Sequence, residues 1–259
     1  MAVILGGNDT LPQITLTQSQ TFVPPQDGNV CIHVVGAGGS GGARKLSQNS
    51  GGAGGYCKKN SLAVTTAGSF TVVVGVGGAS HGPNSNTVNA GGNSTVAGTG
   101  LSATLTANGG GGAGPNTGTV QGAGGTAANG DVNNTGGAGA VSGGGGAVGI
   151  YGTGAAGRNT LGGGVSDAQG GGLAMSGFGE IVGGSPQAKV ATLGSGDHTP
   201  GVAGDLCGGA LCDSDDNTSG RTATGGYGGI GGGGGAGDAN QSIGGRGGDG
   251  LVLIQYLPS

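Results

Sequence analysis

Glycine sets the limits on this chain: 74 of its 259 residues are glycine, about four times the roughly 7% of an ordinary soluble domain. Each glycine inside a helix costs about 1 kcal/mol relative to alanine, and glycine weakens strands as well. Beyond the N-terminal segment, no window of helical length avoids that penalty for long, so an α-helical fold is excluded. Disorder is the other outcome open to a chain of this kind. Against it stand dense β-type apolar runs near both ends and a mean hydropathy of +0.00. A folded chain is expected.

The strands are readable at the two ends. In "LPQITLTQSQTFVPPQDGNVCIHVV", residues 11–35, Ile14, Leu16, Val30, Ile32 and Val34 fall on one face at period two. Asp27-Gly28-Asn29 supplies the turn chemistry between the two runs. His33 alternates with Ile32 and Val34, which places it on the solvent face. "YCKKNSLAVTTAGSFTVVVGVGG", 56–78, gives two strands around Ala67-Gly68, opened by Tyr56. "NSTVAGTGLSATLTANGGGG", 93–112, reads as a shorter hairpin, and "GLVLIQYLPS" as a final strand. Phe22, Phe70 and Tyr256 belong to the core.

Between these strands, runs such as "GGAGAVSGGGGAVG" and "GGYGGIGGGGGAG" alternate with glycine-poor stretches. Without a Cβ, an extended threefold helix of the polyproline II type accepts close neighbours on every side. It has no internal hydrogen bonds, so its buried N–H and C=O groups must pair with adjacent segments. A bundle of such helices is expected. Glycine here is dense but reads as not strictly periodic, and the Ala, Val and Ile that interrupt the runs are placed on outer faces, some packing between bundle and sandwich. The fold class is therefore all-β and irregular: a small β-sandwich of N- and C-terminal strands (1–108 plus 250–259) with an inserted polyglycine II bundle (109–249) and essentially no α-helix.

Several motifs that suggest chemistry fail in context. Gly36-x-Gly38-x-x-Gly41 follows a strand, as a dinucleotide fingerprint does, but no amphipathic helix follows it and no acid stands about 20 residues on. At this glycine content the pattern arises roughly six times by chance. These glycines mark a strand passing into a glycine helix. "GGRGGDGLV" at 244–252 fits one calcium β-roll repeat, but it stands alone. Asp213, Asp215 and Asn217 alternate like early EF-hand ligands, yet Thr218 replaces the required glycine and Thr224 the final glutamate. That stretch reads as a solvated acidic loop.

His33, His81 and His198 are far apart, and Glu180 is the single glutamate, so a two-glutamate glycosidase site is impossible. No enzyme activity, cofactor or metal is expected. The cysteines, Cys31, Cys57, Cys207 and Cys212, allow three pairings; a local Cys207–Cys212 link or plain buried thiols fit better than zinc.

Net charge is −4 and the 8 basic residues are scattered, which excludes a nucleic-acid binder needing a basic stripe. No apolar run approaches the ~20 residues that span a bilayer. "MAVILGGNDT" lacks the basic and apolar regions of a secretory signal, so assembly in a cytoplasm is expected.

"QTFVPPQDGNVCIHVVGAGGSGG", "GGAGGYCKKNSLAVTTAGSFTVVVGVGG", "GGNSTVAGTGLSATLTANGGGGAG" and "GGRGGDGLVLIQY", in this order, resemble the glycine-rich domain found in many bacteriophage tail-fibre proteins. The interior is also similar to the glycine-helix sandwich of the T-even adhesins at long-tail-fibre tips, whose variable loops contact the bacterial receptor. The chain has no tryptophan, so no counterpart of their tryptophan-containing N-terminal attachment domain is expected.

The resemblance implies a virion protein of the tail, assembled in the host cytoplasm and partnered by other virion proteins and by a host surface protein or glycan, with a homo-oligomer open. Loops carry recognition more often than scaffold does. The loops singled out are 151–160, 173–182, 194–200 and 213–222, with Tyr151, Phe178, His198, Asp215 and Tyr227 as receptor-binding residues. For Tyr151, Phe178 and Tyr227 a hydrophobic cap on the bundle is the competing role. Two other functions stay open: a capsid decoration or virion joining protein whose strands bind neighbouring subunits, and an ice-binding protein, since known glycine-helix bundles include antifreezes, though those have strict triplets and these runs read as irregular.

Overall fold

The computed structural model describes residues 3–5, 13–42, 49–82, 87–114, 120–140, 143–149, 152–157, 225–237 and 243–258. Among the described residues there is no α-helix. Six strands form one sheet, in the order β1 (Val3–Leu5), β2 (Gln13–Leu16), β11 (Leu251–Tyr256), β4 (Gly28–Val35), β5 (Tyr56–Val64) and β10 (Val132–Asn134). Five form the other: β3 (Gln20–Phe22), β6 (Phe70–Val73), β7 (Ser94–Gly98), β8 (Leu105–Ala107) and β9 (Ala127–Ala128). All neighbours in both sheets are antiparallel.

The period-two row of Ile14, Leu16, Val30, Ile32 and Val34 is buried and packs with Phe70, Val72, Val96 and Leu105 of the facing sheet. The last strand lies in the middle of its sheet: Leu253 pairs with Thr15 on one side and His33 on the other. Two short strands, β9 and β10, come from inside the glycine-rich stretch and extend both sheets.

Beyond the strands the chain continues as extended glycine rods, and their hydrogen bonds show the threefold winding directly. Along 36–42, Gly36, Gly39 and Gly42 donate to Gly55, Gly52 and Asn49. Ala37 and Ser40 donate to Gly92 and Asn89, while Gly38 and Gly41 donate to Gly248 and Gly245. Each third amide returns to the same neighbour, which is the geometry of a helix with three residues per turn and about 3.1 Å rise. The rod 49–55 is fully enclosed. It donates to 137–140, 231–234 and 108–111, and it accepts from 36–42, from Gly122 and Gly125, and from Gly145. Six neighbours around one rod is a hexagonal lattice of polyglycine II.

The lattice reveals a period that the sequence reading missed. Several rods read Gly-Gly-X over part of their length, with X at 37 and 40, at 50 and 53, at 76 and 79, at 123 and 126, and at 243, 246 and 249. On peripheral rods X faces outward, as in Val76–Ala79, Thr87–Ala90–Asn93, Val120–Ala123–Thr126, Thr135–Ala138 and Thr153–Ala156. In the interior rods the expectation of outer faces fails: Ala37, Ala53, Ala147 and Ala236 are buried. On the rods 36–42 and 50–55 one row in three carries a methyl or hydroxymethyl group and the other two rows are glycine.

His33 also departs from expectation. It is 2% exposed, because the outer face of the six-stranded sheet is itself covered. Val35, Tyr56 and Leu251 pack there against Val148, with Val132 and Ile230 beside them, so lattice residues supply a second apolar layer. The turn that brings Ile230 down requires a left-handed Gly231, at φ 69°, with Gly232 N–H donating to Gly229 O. Cys31 and Cys57 are buried free thiols, and burial pushes Cys57 up to about 12. Cys207 and Cys212 lie outside the described residues.

A Cβ at Gly54 would fall on the backbone of Gly36, whereas one at Gly82 would meet nothing within 4 Å. Gly54→Ala should therefore cost at least ~3 kcal/mol, through overpacking and broken lattice bonds. Gly82→Ala should stay within ~0.5 kcal/mol. Thermal unfolding of the two variants checks the pair, and equal Tm values would refute the lattice.

Candidate functional site

The rods have a sheet end and a loop end. Gly36 follows β4 directly and Gly55 precedes β5, so both lie at the sheet end, and Gly42 and Asn49 lie opposite. The same reasoning applies to the other rods. Gly75 and Gly92 are near β6 and β7, whereas Gly82 and Thr87 are far from them; Asn108 and Thr126 adjoin β8 and β9, whereas Gly114 and Val120 do not. Gly250 adjoins β11 and Ile243 is distant.

Hydrogen bonds tie the far termini together. Gly42 donates to Asn49, Gly114 to Val120, Ala140 to Gly143, Gly225 to Ile243, Gly237 to Gly42 and Gly244 to His81. Gly157 joins them through its bond to Ala138. The described residues that bracket 43–48, 83–86, 115–119, 141–142, 158–224 and 238–242 therefore all stand at one end of the lattice. At the other end the only such bracket is Gly149 and Gly152, which bridge to each other; Asn134 Nδ2 donates to Gly149 O beside them.

This arrangement makes the loop end a platform. Backbone-to-backbone bonds hold the flanks of 43–48, 115–119, 141–142, 158–224 and 238–242, so the scaffold needs no particular side chain from the segments it supports. His81 sits there, buried, with Nδ1 3.4 Å from Ser40 Oγ, and burial holds its imidazole below the usual range. Asp249 is occupied with scaffold work: its Oδ1 accepts from Gly77 N–H at 2.7 Å and from the Arg246 guanidinium. The lone β-roll-like repeat thus closes a rod.

Of the residues singled out from sequence, Tyr227 is described. It is 52% exposed on the rod that runs from Gly225 at the loop end to Gly231 at the sheet end, bonded through Gly225 and Gly228 to Ile243 and Arg246. Its neighbour in the same row, Ile230, takes the capping role instead, against the Val35 cluster. Phe178, His198 and Asp215 fall outside the described residues, in the 158–224 stretch whose brackets, Gly157 and Gly225, stand at the loop end. Tyr151 is also outside them, and its brackets stand at the sheet end. The 43–48, 83–86, 115–119 and 238–242 connections went unrecognised as parts of the same surface. For 43–48 and 238–242 the signal was present in the glycine pairs on either side, which mark each as a rod-to-rod crossing.

A two-layer β-sandwich whose strands run on into a polyglycine II lattice, with the rod crossings gathered at one end, defines an all-β fold of the glycine-rich class. The chain belongs to the glycine-rich domain family, whose sequence profile matches residues 15–257. Comparison with curated proteins gives no match.

Lengthening the 115–119 or the 238–242 crossing to twice its size should cost about 0.6 kcal/mol, or about 2 °C in Tm. One residue inserted between Gly51 and Gly52 shifts the triplet register of the central rod and should prevent folding. Circular dichroism melts of these three variants give the comparison; a crossing insertion as damaging as the rod insertion would show that the crossings are part of the scaffold.

Proposed function

We propose that this protein is a bacteriophage virion component acting as a receptor-binding adhesin, with the loop end of the glycine lattice as its recognition surface. The observation that carries the reading is the convergence of the rod crossings onto one bonded platform. Such a platform lets recognition segments vary in sequence and length while the backbone network beneath them stays unchanged. The bacteriophage tail assignment draws on the resemblance of the four glycine-rich segments to tail-fibre domains. The partner is a host surface protein or glycan, met by Phe178, His198 and Asp215 from the 158–224 stretch and by the exposed ring of Tyr227. Aromatic groups suit this role because they bring large contact area at small entropic cost. Tyr151, bracketed at the opposite end, is left to contacts with other virion proteins.

Purified protein should bind host cells and slow infection by the parent phage. Tyr227→Ala should weaken cell binding about fivefold or more with Tm unchanged. Absence of both binding and inhibition would remove the adhesin reading, and hundreds of copies per particle would replace it with capsid decoration.

One observation favours a second reading, ice binding. The triplets place Val120–Ala123–Thr126, Thr135–Ala138 and Thr153–Ala156 outward on rods that are bonded side by side, at a repeat of about 9 Å along each rod. A thermal hysteresis gap in the purified protein would establish that reading, and no gap would dismiss it.

A further inference from the structure

We propose that the outer face of the five-stranded sheet, together with the rods that prolong it, is a self-association surface on which a second copy of this chain packs across a two-fold axis. The inference does not rest on what the loop end binds.

The sequence marks this face by what it omits. Of the 8 basic and 12 acidic residues in the chain, none falls within residues 60–130. That stretch supplies β6, β7, β8 and β9 and the rods 75–82, 87–93, 108–114 and 120–126. Its one histidine, His81, is buried. The rods keep the order of the strands. Gly92 donates to Val76, Gly91 to Gly110 and Gly111 to Ala123, so they lie side by side as the continuation of the sheet. The remaining strand, β3, is Gln20, Thr21 and Phe22, also uncharged.

Pleating decides which side chains look outward. Thr21, Thr71 and Ala97 share one cross-strand row, and Val73, Thr95, Thr106 and Ala128 the next. The residues that alternate with them, Phe70, Val72, Val96 and Leu105, lie in the core, which turns these rows to the opposite face. Further along, Val76, Ala79, Ala90 and Ala123 are exposed on the rods. Val76 is 66% exposed and Val73 40%, a cost in water that a monomer would leave standing. The six-stranded sheet differs on both counts. Its outer face is already covered through Val148 and Ile230, and the rod leading into β11 shows the exposed ion pair of Arg246 and Asp249.

Three properties select a second copy as the occupant. In an isologous pair each patch meets itself, so a charge near the axis would face its own sign. A face without charge escapes that penalty, while the net charge of −4 repels copies brought together elsewhere. Threonine hydroxyls both donate and accept, so the rows of Thr71, Thr95 and Thr106 match the same rows on the partner. The area also suffices. Five strands give a width of about 20 Å, and strand plus rod a length of about 30 Å. The face is then about 600 Å² per copy and about 1,200 Å² for the pair, at the lower end of specific interfaces. It has neither the aromatic rings nor the arginines that anchor tight complexes, so association is expected in the micromolar range.

Sedimentation velocity on the full chain tests this. From low to high micromolar concentration, a monomer of 23.6 kDa should give way to a dimer. Val73→Lys and Ala123→Lys, both at exposed positions, should keep the circular dichroism spectrum and weaken dimerisation about tenfold or more. Gln26→Lys, exposed in the turn before β4 at the end of the sandwich away from the rods, should leave it unchanged. A monomer at every concentration would overturn the proposal, as would a dimer that survives both lysines on the face. The rod 120–126 also figures in the ice-binding reading, and a monomer with thermal hysteresis would give the face to ice instead. Should the lysine variants fail to fold, the methyl resonances of Val73 and Val76 in the wild-type protein decide. Shifts that follow concentration support the interface, and unmoved methyls in a dimerising protein place it elsewhere.

Discussion

At nearly every interior glycine of the lattice, a backbone carbonyl of the next rod lies where a Cβ would be. Gly38 faces Gly232, Gly41 faces Gly235, Gly51 faces Gly39 and Gly110 faces Gly52. This approach is what lets a helix without internal hydrogen bonds survive burial. Each amide must find its acceptor on another rod, and rods come near enough only where side chains are missing on the faces that meet. Ordering glycine costs more entropy than ordering any other residue. Only the dense cross-bonding offsets that cost, and so the lattice stands or fails as a unit.

The sandwich provides what the lattice cannot provide for itself, a fixed starting geometry. Antiparallel strands deliver their continuations side by side. β4 and β5 pair as far as Val35 and Tyr56, and their extensions remain bonded from Gly36–Gly55 out to Gly42–Asn49. An extended strand and a threefold helix are close in backbone angle, which lets the chain change from one to the other at a single glycine. The apolar layer of Val35, Tyr56, Leu251 and Val148 then seals the joint. The ordinary hydrophobic core and the backbone lattice thus meet across one sheet, each covering a different face of it.

Much of this was legible in the residues, and the failures have physical causes. Period-two alternation identified the core row from Ile14 to Val34, because one face of that sheet meets the other sheet in the usual way. The same rule misplaced His33, since alternation assigns the opposite face to solvent and carries no information about a second layer arriving from over a hundred residues away. Gly-Gly-X went unseen for a related reason. The phase of the triplet restarts at each rod, and runs such as "GGGG" at 109–112 hide it; it becomes visible only when each rod is aligned on its own neighbours. The β9 and β10 strands were missed because two or three residues give no measurable alternation.

The way each crossing is anchored explains why a scaffold this demanding leaves freedom at one end. Gly42 to Asn49, Gly114 to Val120 and Ala140 to Gly143 are bonds between the two rods that each crossing joins. The loop is closed by the lattice before its own residues have any say, and what remains is the closure entropy of a chain with fixed ends, which grows only with the logarithm of length. That holds for the pair at 141–142 as it does for 115–119. Strict constraint on the rods and latitude in the crossings therefore come from the same cause. Backbone bonds fix the rod termini on either side of these crossings, so selection for a new surface can act on the crossings while selection for folding acts on the glycines.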